Sequence, residues 1–141
     1  MVQPKIIGTT FGAFDLCHAG HISMFREVKQ QCDYLIVGLH SNPQIDRPEK
    51  NQPIMSLEER RIILEGIKYI DEIFIYDTEA ELYTWLKLNQ HRLDVRFIGA
   101  DWQGKKFTGD DLPIRVIYNS RDHGYSTTEL RRRIAKTENE N

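Results

Sequence analysis

The chain has 141 residues, about one domain's worth. Nineteen Lys and Arg against 21 Asp and Glu leave a formal charge of −2, and the fractions of 40% apolar and 28% charged residues are those of an ordinary globular protein. This excludes a disordered, collagenous or coiled-coil chain as a whole, and a pI near 6.2 argues against a general nucleic-acid binder.

Strand-like and helix-like segments alternate along the chain. Residues 6–11 read as a first strand, rich in β-branched side chains, followed by Gly12 and a helix over about 18–31. The continuous apolar run at 34–40 suits a parallel strand covered on both faces. Residues 41–55 are the longest irregular stretch, broken by Pro43, Pro48 and Pro53, and a loop this long in a compact domain is usually functional or disordered. It is expected to be mobile without ligand. Ser56, with Glu59 three residues on, predicts a capping box that opens a helix to about Tyr69, with Ile62, Ile63, Ile67 and Ile70 facing the sheet. A third strand follows at 73–76, then a helix over 79–90 with Leu82, Trp85, Leu86 and Leu88 as its apolar candidates. Strands at 95–98 and 114–118 and a helix over 126–136 complete the series. Strands separated by helices imply a single Rossmann-like α/β domain over residues 1–136, a five-stranded mostly parallel sheet with helices on both faces, and a frayed polar tail at 137–141. Ligands of such sheets sit beyond the carboxyl ends of the strands, which points to the loops at 12–18, 41–55, 99–107 and 119–126.

Cys17 and Cys32 form neither a CxxC pair nor a metal-ligand array, so reduced thiols are expected. The first residues lack the apolar core of a signal peptide, and no apolar run reaches the roughly 18 residues of a membrane span. The expectation is a soluble cytoplasmic protein. His40, His91 and His123 have no spacing that suggests a metal, and Arg131-Arg132-Arg133 reads as the solvated face of a helix whose C-terminal half favours cations.

The first of the candidate loops runs from Gly12 through Ala13, Phe14, Asp15, Leu16, Cys17 and His18 to Gly20 and His21. Glycine after a strand lets backbone approach a ligand, and the helix that follows presents unpaired N–H groups to an anion. His18 and His21 are three apart and fall on one helix face, with Gly20 leaving room between them. A bare His-x-x-His is more often a pair of surface histidines; the strand-Gly-helix context favours a phosphate site instead. Gly124, Ser126, Thr127 and Thr128 open the last helix, with Arg121 just upstream. Hydroxyls there are commonly N-caps. A second anion-favouring helix end at the same sheet edge suggests a polyphosphate.

These residues carry a resemblance. Residues 12–21 are similar to the GxFDxxHxGH signature of the cytidylyltransferases, and 121–128 to their RTxGxSTT signature. Glu59-Arg60 with Tyr69-Ile70-Asp71-Glu72 resembles the family's ER…YVDE stretch, and Gly99-Ala100-Asp101-Trp102 its GDDW. Within the family the chain most resembles the bacterial enzymes that act on glycerol-3-phosphate. It departs at Ala13, where a hydroxyl or Val is usual, at Ala100, at Asp122-His123, and in having fewer lysines around Lys50. The resemblance implies transfer of CMP from CTP, with Mg2+ on the triphosphate, to a phosphorylated alcohol, releasing pyrophosphate. It implies that the Ala13 and Phe14 amides with His18 and His21 hold the triphosphate, that Arg121 and the turn from Gly124 through Ser126, Thr127 and Thr128 clamp its far end, and that Asp101 and Trp102 lie by the nucleoside. Asp15, Lys50 and Arg60 would serve the second substrate, with Lys50 bridging the two. No protein side chain is implied as a metal ligand. A homodimer is implied too, with no nucleic-acid partner. Two alternatives stay open: an adenylyltransferase acting on a sugar phosphate or cofactor precursor, and a non-catalytic nucleotide-binding module.

Overall fold

The structure, a computed structural model, describes residues 5–120 and 124–140. Strands β1 (Ile7–Gly12), β2 (Tyr34–His40), β3 (Glu72–Tyr76), β4 (Val95–Gly99) and β5 (Arg115–Asn119) form one sheet in the order β3-β2-β1-β4-β5, and all four neighbouring pairs are parallel. The helices are α1 (Ala19–Lys29), α2 (Leu57–Glu65), α3 (Glu79–Asn89) and α4 (Thr127–Glu140), with 3-10 turns at Pro43–Ile45 and Ala100–Trp102.

The apolar run of β2 explains the layers. Leu35, Val37 and Leu39 join Phe25 and Val28 of α1 and Leu64 of α2 in one core, while Ile36 joins Leu82 and Leu86 of α3 in a second core on the opposite face. Alternate side chains of a strand point to opposite faces, so a strand covered on both sides must be apolar at every position. Gly38 is the exception with a reason. A Cβ there would lie 2.5 Å from Phe11 and 2.6 Å from Phe74, so the two rings occupy the space a side chain would take.

Several expectations are adjusted by packing. The capping box forms as expected: Ser56 Oγ accepts from the Glu59 amide at 3.1 Å and Glu59 accepts from the Ser56 amide at 2.9 Å. Helix α2 then ends at Glu65, capped by Gly66, rather than near Tyr69. Leu64 is its buried anchor, Ile62 is exposed, and Ile67 and Ile70 pack on the core from the loop beyond. In α3, Leu82 and Leu86 are buried and Trp85 stacks on Phe74, but Leu88 points outward. Helix α4 runs on to Glu140, where a frayed tail was expected; no Gly or Pro interrupts those residues, and their polarity describes an exposed helix.

The sheet order places the topological switch between β1 and β4. These two strands pair only at Gly8 with Val95 and Thr9 with Arg96, and beyond that register their carboxyl ends separate. A crevice at this point of an open parallel sheet is where such folds bind ligands.

Candidate active site

Two cavities open at the carboxyl edge and share Thr10, Phe11, Gly12 and Gly99, the ends of β1 and β4, as a common rim. The first, of about 400 Å³, lies between the N-termini of α1 and α4. The second, of about 330 Å³, lies on the α3 face beneath residues 43–50.

The first cavity is lined by Ala13, Phe14, His18, Gly20, His21, Ser126, Thr127 and Thr128. The loop that leads into α1 is folded tightly, with Phe14 and Leu16 both at φ 49°, in the left-handed region. That conformation is costly for residues with side chains and persists where packing over-determines it. Here Phe14 is buried, its ring 5.2 Å from that of Phe25 and edge-on to His21 at 5.9 Å.

The two histidines have a role the sequence alone does not reveal. His18 is the N-cap of α1 rather than a residue of its first turn: its Nδ1 accepts the Gly20 amide at 3.0 Å, and His21 Nδ1 accepts the His18 amide at 3.1 Å. The rings lie 4.2 Å apart. A ring nitrogen that accepts an N–H carries no proton, so this bonding pattern assigns both rings the tautomer with Nε2–H. Both histidines are thus held as Nε2–H donors. His18 Nε2 lies 3.2 Å from Thr127 Oγ1, which ties the start of α1 to the start of α4 across 109 residues of chain. Ser126 Oγ accepts from the Glu129 amide at 3.0 Å and so caps α4. Gly124 adopts φ +74° just before that turn and lines neither cavity. Arg121, with Asp122 and His123, lies outside the described residues.

Asp15 and Arg60 hold the loops around the site. Asp15 is 9% exposed; its carboxylate accepts from the Ile54 amide at 2.8 Å and the Met55 amide at 2.9 Å and pairs with Arg131 at 2.9 Å. Arg131 therefore leaves the solvated arginine face expected of α4, whereas Arg132 pairs along the helix with Glu129. Arg60 is 2% exposed and donates to the carbonyls of Ala13, His40, Ser41 and Met55 at 2.6–3.2 Å. Burial lowers its pKa from the ordinary value, with Asp15 opposing. Asp15 binds backbone of the loop at 41–55, Arg60 binds backbone of that loop and of the one at 12–18, and neither lines the two main cavities.

The loop at 41–55 is not detached from the body. Asn42 caps the Pro43–Ile45 turn, Asp46 accepts the Glu79 amide at the start of α3, and Asp15 fixes the loop's end. Arg47 sits 5.6 Å above the Trp102 ring. These contacts bring Lys50 to the wall of the second cavity, with Trp102 opposite. Trp102 thus lines the cavity on the α3 face, apart from the histidines, and Asp101 lines neither cavity.

Two buried residues of the site were missed in the sequence. Asn119, at the end of β5, lines the first cavity, and its Oδ1 has no hydrogen-bond partner among the described residues. Arg96 of β4 lines the second. Arg96 carried a signal, a strongly polar residue inside an apolar strand, which is unusual for a parallel sheet covered on both faces; Asn119 carried none, since it opens the loop read at 119–126.

No group of three or more His, Cys, Asp or Glu is gathered as a metal nest among the described residues. None of their helices is long and apolar enough to cross a membrane. Cys17 and Cys32 are free thiols whose pKa values burial raises.

Comparison with known proteins agrees with this architecture. The chain is 36% identical over 131 residues to glycerol-3-phosphate cytidylyltransferase of Bacillus subtilis (strain 168), covering 89% of this chain and 95% of that protein. It is 32% identical over 139 residues to the bifunctional protein HldE of Campylobacter concisus (strain 13826), of which it spans only 29%. Among solved structures, the lipopolysaccharide core biosynthesis protein of Thermoplasma volcanium GSS1 shares the fold at a TM-score of 0.56 with 21% identity, over 94% of this chain and 88% of that one. The cytidylyltransferase-like family model matches residues 9–133. With that match across most of the chain, and with the paired helix ends at the switch point, the protein belongs to the cytidylyltransferase-like family of nucleotidyl-transferring enzymes.

Proposed function

We propose that the enzyme transfers CMP from CTP to a small phosphorylated alcohol and releases pyrophosphate. The observation that carries this reading is the His18–Thr127 contact, which sets two helix N-termini and two Nε2–H donors around one cavity. Such an arrangement suits a triphosphate, because exposed amides and the positive ends of two helix dipoles both favour negative charge. The acceptor phosphate is already a nucleophile at neutral pH. One of its oxygens attacks the α-phosphorus, the bond from that phosphorus to the bridging oxygen of pyrophosphate breaks, and no general base is required. The work left to the protein is positioning and charge stabilisation.

In this reading His18 and His21 donate to phosphate oxygens and stabilise charge moving onto the leaving pyrophosphate. The Ala13 and Phe14 backbone, Ser126, Thr127 and Thr128 enclose the triphosphate, with Arg121 and Gly124 at its far end. Lys50 reaches from the second cavity over the shared rim toward the reacting phosphates. Arg60 and Asp15 act on the acceptor through the loops they hold. Asp101 and Trp102 stay near the nucleoside end of the rim. Mg2+ bound with CTP would supply charge neutralisation at the triphosphate. The same family resemblance carries a cytoplasmic homodimer, which light scattering after size exclusion tests.

The reading is tested by pyrophosphate release with glycerol-3-phosphate, using CTP and ATP in parallel. Faster release from CTP is expected. Equal or faster release from ATP favours an adenylyltransferase, and binding of either nucleotide without release favours a non-catalytic module.

A further inference from the structure

Arg96 is a buried cation with no carboxylate in ion-pair contact among the described residues. It is 6% exposed and stands at the last paired position before β1 and β4 separate. Its guanidinium carbon lies 5.0 Å from the Phe11 ring centre and 4.8 Å from that of Phe107. One Nη1–H donates to the Thr108 carbonyl, and Nε has no partner. Burial pushes its pKa down to about 10 against the opposing fields of Tyr76, Glu79 and Asp110.

An unpaired buried charge is expensive, and natural proteins pair it or bind something with it. The other groups in the second cavity do not solve the problem. Lys50 and Arg47 add positive charge. The two carboxylates in the wall each accept a hydrogen bond from another residue, Asp46 from the Glu79 amide at 2.6 Å and Glu79 from Thr108 Oγ1 at 2.8 Å, and neither is in ion-pair contact with the guanidinium, although Glu79 favours its charge from a distance. The cavity therefore ends on a guanidinium whose faces meet two aromatic rings and whose N–H edge suits a carboxylate.

We propose that the second cavity receives the acceptor and that Arg96 selects one whose far end is a carboxylate, that is, a phosphorylated hydroxy acid. This rests on the reading of the enzyme as a nucleotidyltransferase. The acceptor phosphate lies at the shared rim near Lys50, and the carbon chain runs along Phe11 to the guanidinium. A chain ending in CH2OH leaves Arg96 desolvated and unpaired, whereas a carboxylate completes it. Arg96 is then a specificity-determining residue, remote from the reacting atoms.

The test uses matched polyol phosphates and phosphorylated aldonic acids of three, four and five carbons, such as glycerol-3-phosphate against 3-phosphoglycerate. Binding to the wild-type protein without nucleotide is measured by calorimetry, and turnover is read as pyrophosphate release from CTP. At one chain length or more, the acid is expected to bind at least about tenfold more tightly than its polyol, the gain typical of one charge-assisted contact. In Arg96→Met, that preference disappears while circular dichroism is unchanged and Tm holds or rises, because an unpaired buried charge has been removed. If the wild type shows no preference for the acid at any length, or if Arg96→Met keeps the preference, the proposal is overturned; the wild-type comparison decides even if the variant misfolds. If no acceptor releases pyrophosphate yet acid binding still depends on Arg96, the transfer reading fails and the carboxylate site stands. If transfer proceeds with polyols and acids equally, the carboxylate site fails and the transfer reading stands.

Discussion

At the scale of single residues, His18 does two jobs that ordinary mutagenesis would confuse. It caps α1 through Nδ1 and faces Thr127 through Nε2. Substitution by Ala removes both, so His18→Ala should lose about 0.5–2 kcal/mol of stability for the missing cap in addition to activity. Asn is a good N-cap residue but carries no imidazole. His18→Asn should therefore melt close to the wild type while kcat falls about 10²–10³-fold with a much smaller change in KM, the usual cost of one positioned donor. Steady-state kinetics beside thermal melting separates the two roles, and an unchanged kcat in His18→Asn removes the imidazole from the mechanism. The anion-site reading was legible from a strand, a glycine and two histidines in sequence. The capping role was not, because His is not among the residues that usually cap helices and its partner atoms emerge only from backbone geometry.

At the scale of elements, the loop at 41–55 was legible as an insertion from its prolines, but its tethering was not. Its far end hangs on Asp15, 39 and 40 residues upstream of the two amides it binds, and Asp15 also holds Arg131, 116 residues downstream. Asp15→Ala strands two amides and one arginine, so urea denaturation should show a loss of about 2–4 kcal/mol. Arg131→Ala removes one partly exposed pair and should cost about 1 kcal/mol or less. The reverse ranking would mean that the carboxylate does not organise this junction. Because the loop is pinned at both ends, Lys50 already stands at the second cavity. If the helix ends of the other cavity hold the nucleotide as proposed, Lys50→Ala should reduce turnover about 10²-fold while leaving the CTP dissociation constant within about threefold of wild type. Parallel titration and turnover measurements check this, and near-normal turnover removes Lys50 from the reaction.

For the molecule as a whole, the first cavity is assembled from chain ends. Helix α1 follows β1 and helix α4 follows β5, and they meet only because β4 and β5 are laid on the far side of β1. A ligand that bridges the two ends should therefore stabilise the fold globally. CTP at about 100 times its dissociation constant should add about 2.7 kcal/mol, or a rise in Tm of about 10 °C for a domain of this size. ATP at the same concentration should raise Tm distinctly less. Scanning calorimetry with each nucleotide measures the difference, and equal shifts count against cytidine selection.

What the sequence by itself determined is what can be encoded within a short window. The alternation of strands and helices, the Ser56–Glu59 cap, the doubly covered β2 and the strand-Gly-helix loop each follow from periodicities of two or 3.6 residues or from contacts three residues apart. The family motifs are of the same kind. The helix end at Glu65, and the exposure of Ile62 and Leu88, shifted because packing chooses among several apolar faces that a pattern leaves nearly equal. Only the tertiary structure decided which distant groups meet. It paired Asp15 with Arg131, buried Arg60 among four carbonyls, set Trp102 beneath Arg47 and left the buried Nε of Arg96 without a partner at the switch point. Those relations depend on the path of the chain between residues up to 116 positions apart, and on how far water is excluded once the path closes, and no local pattern carries either quantity.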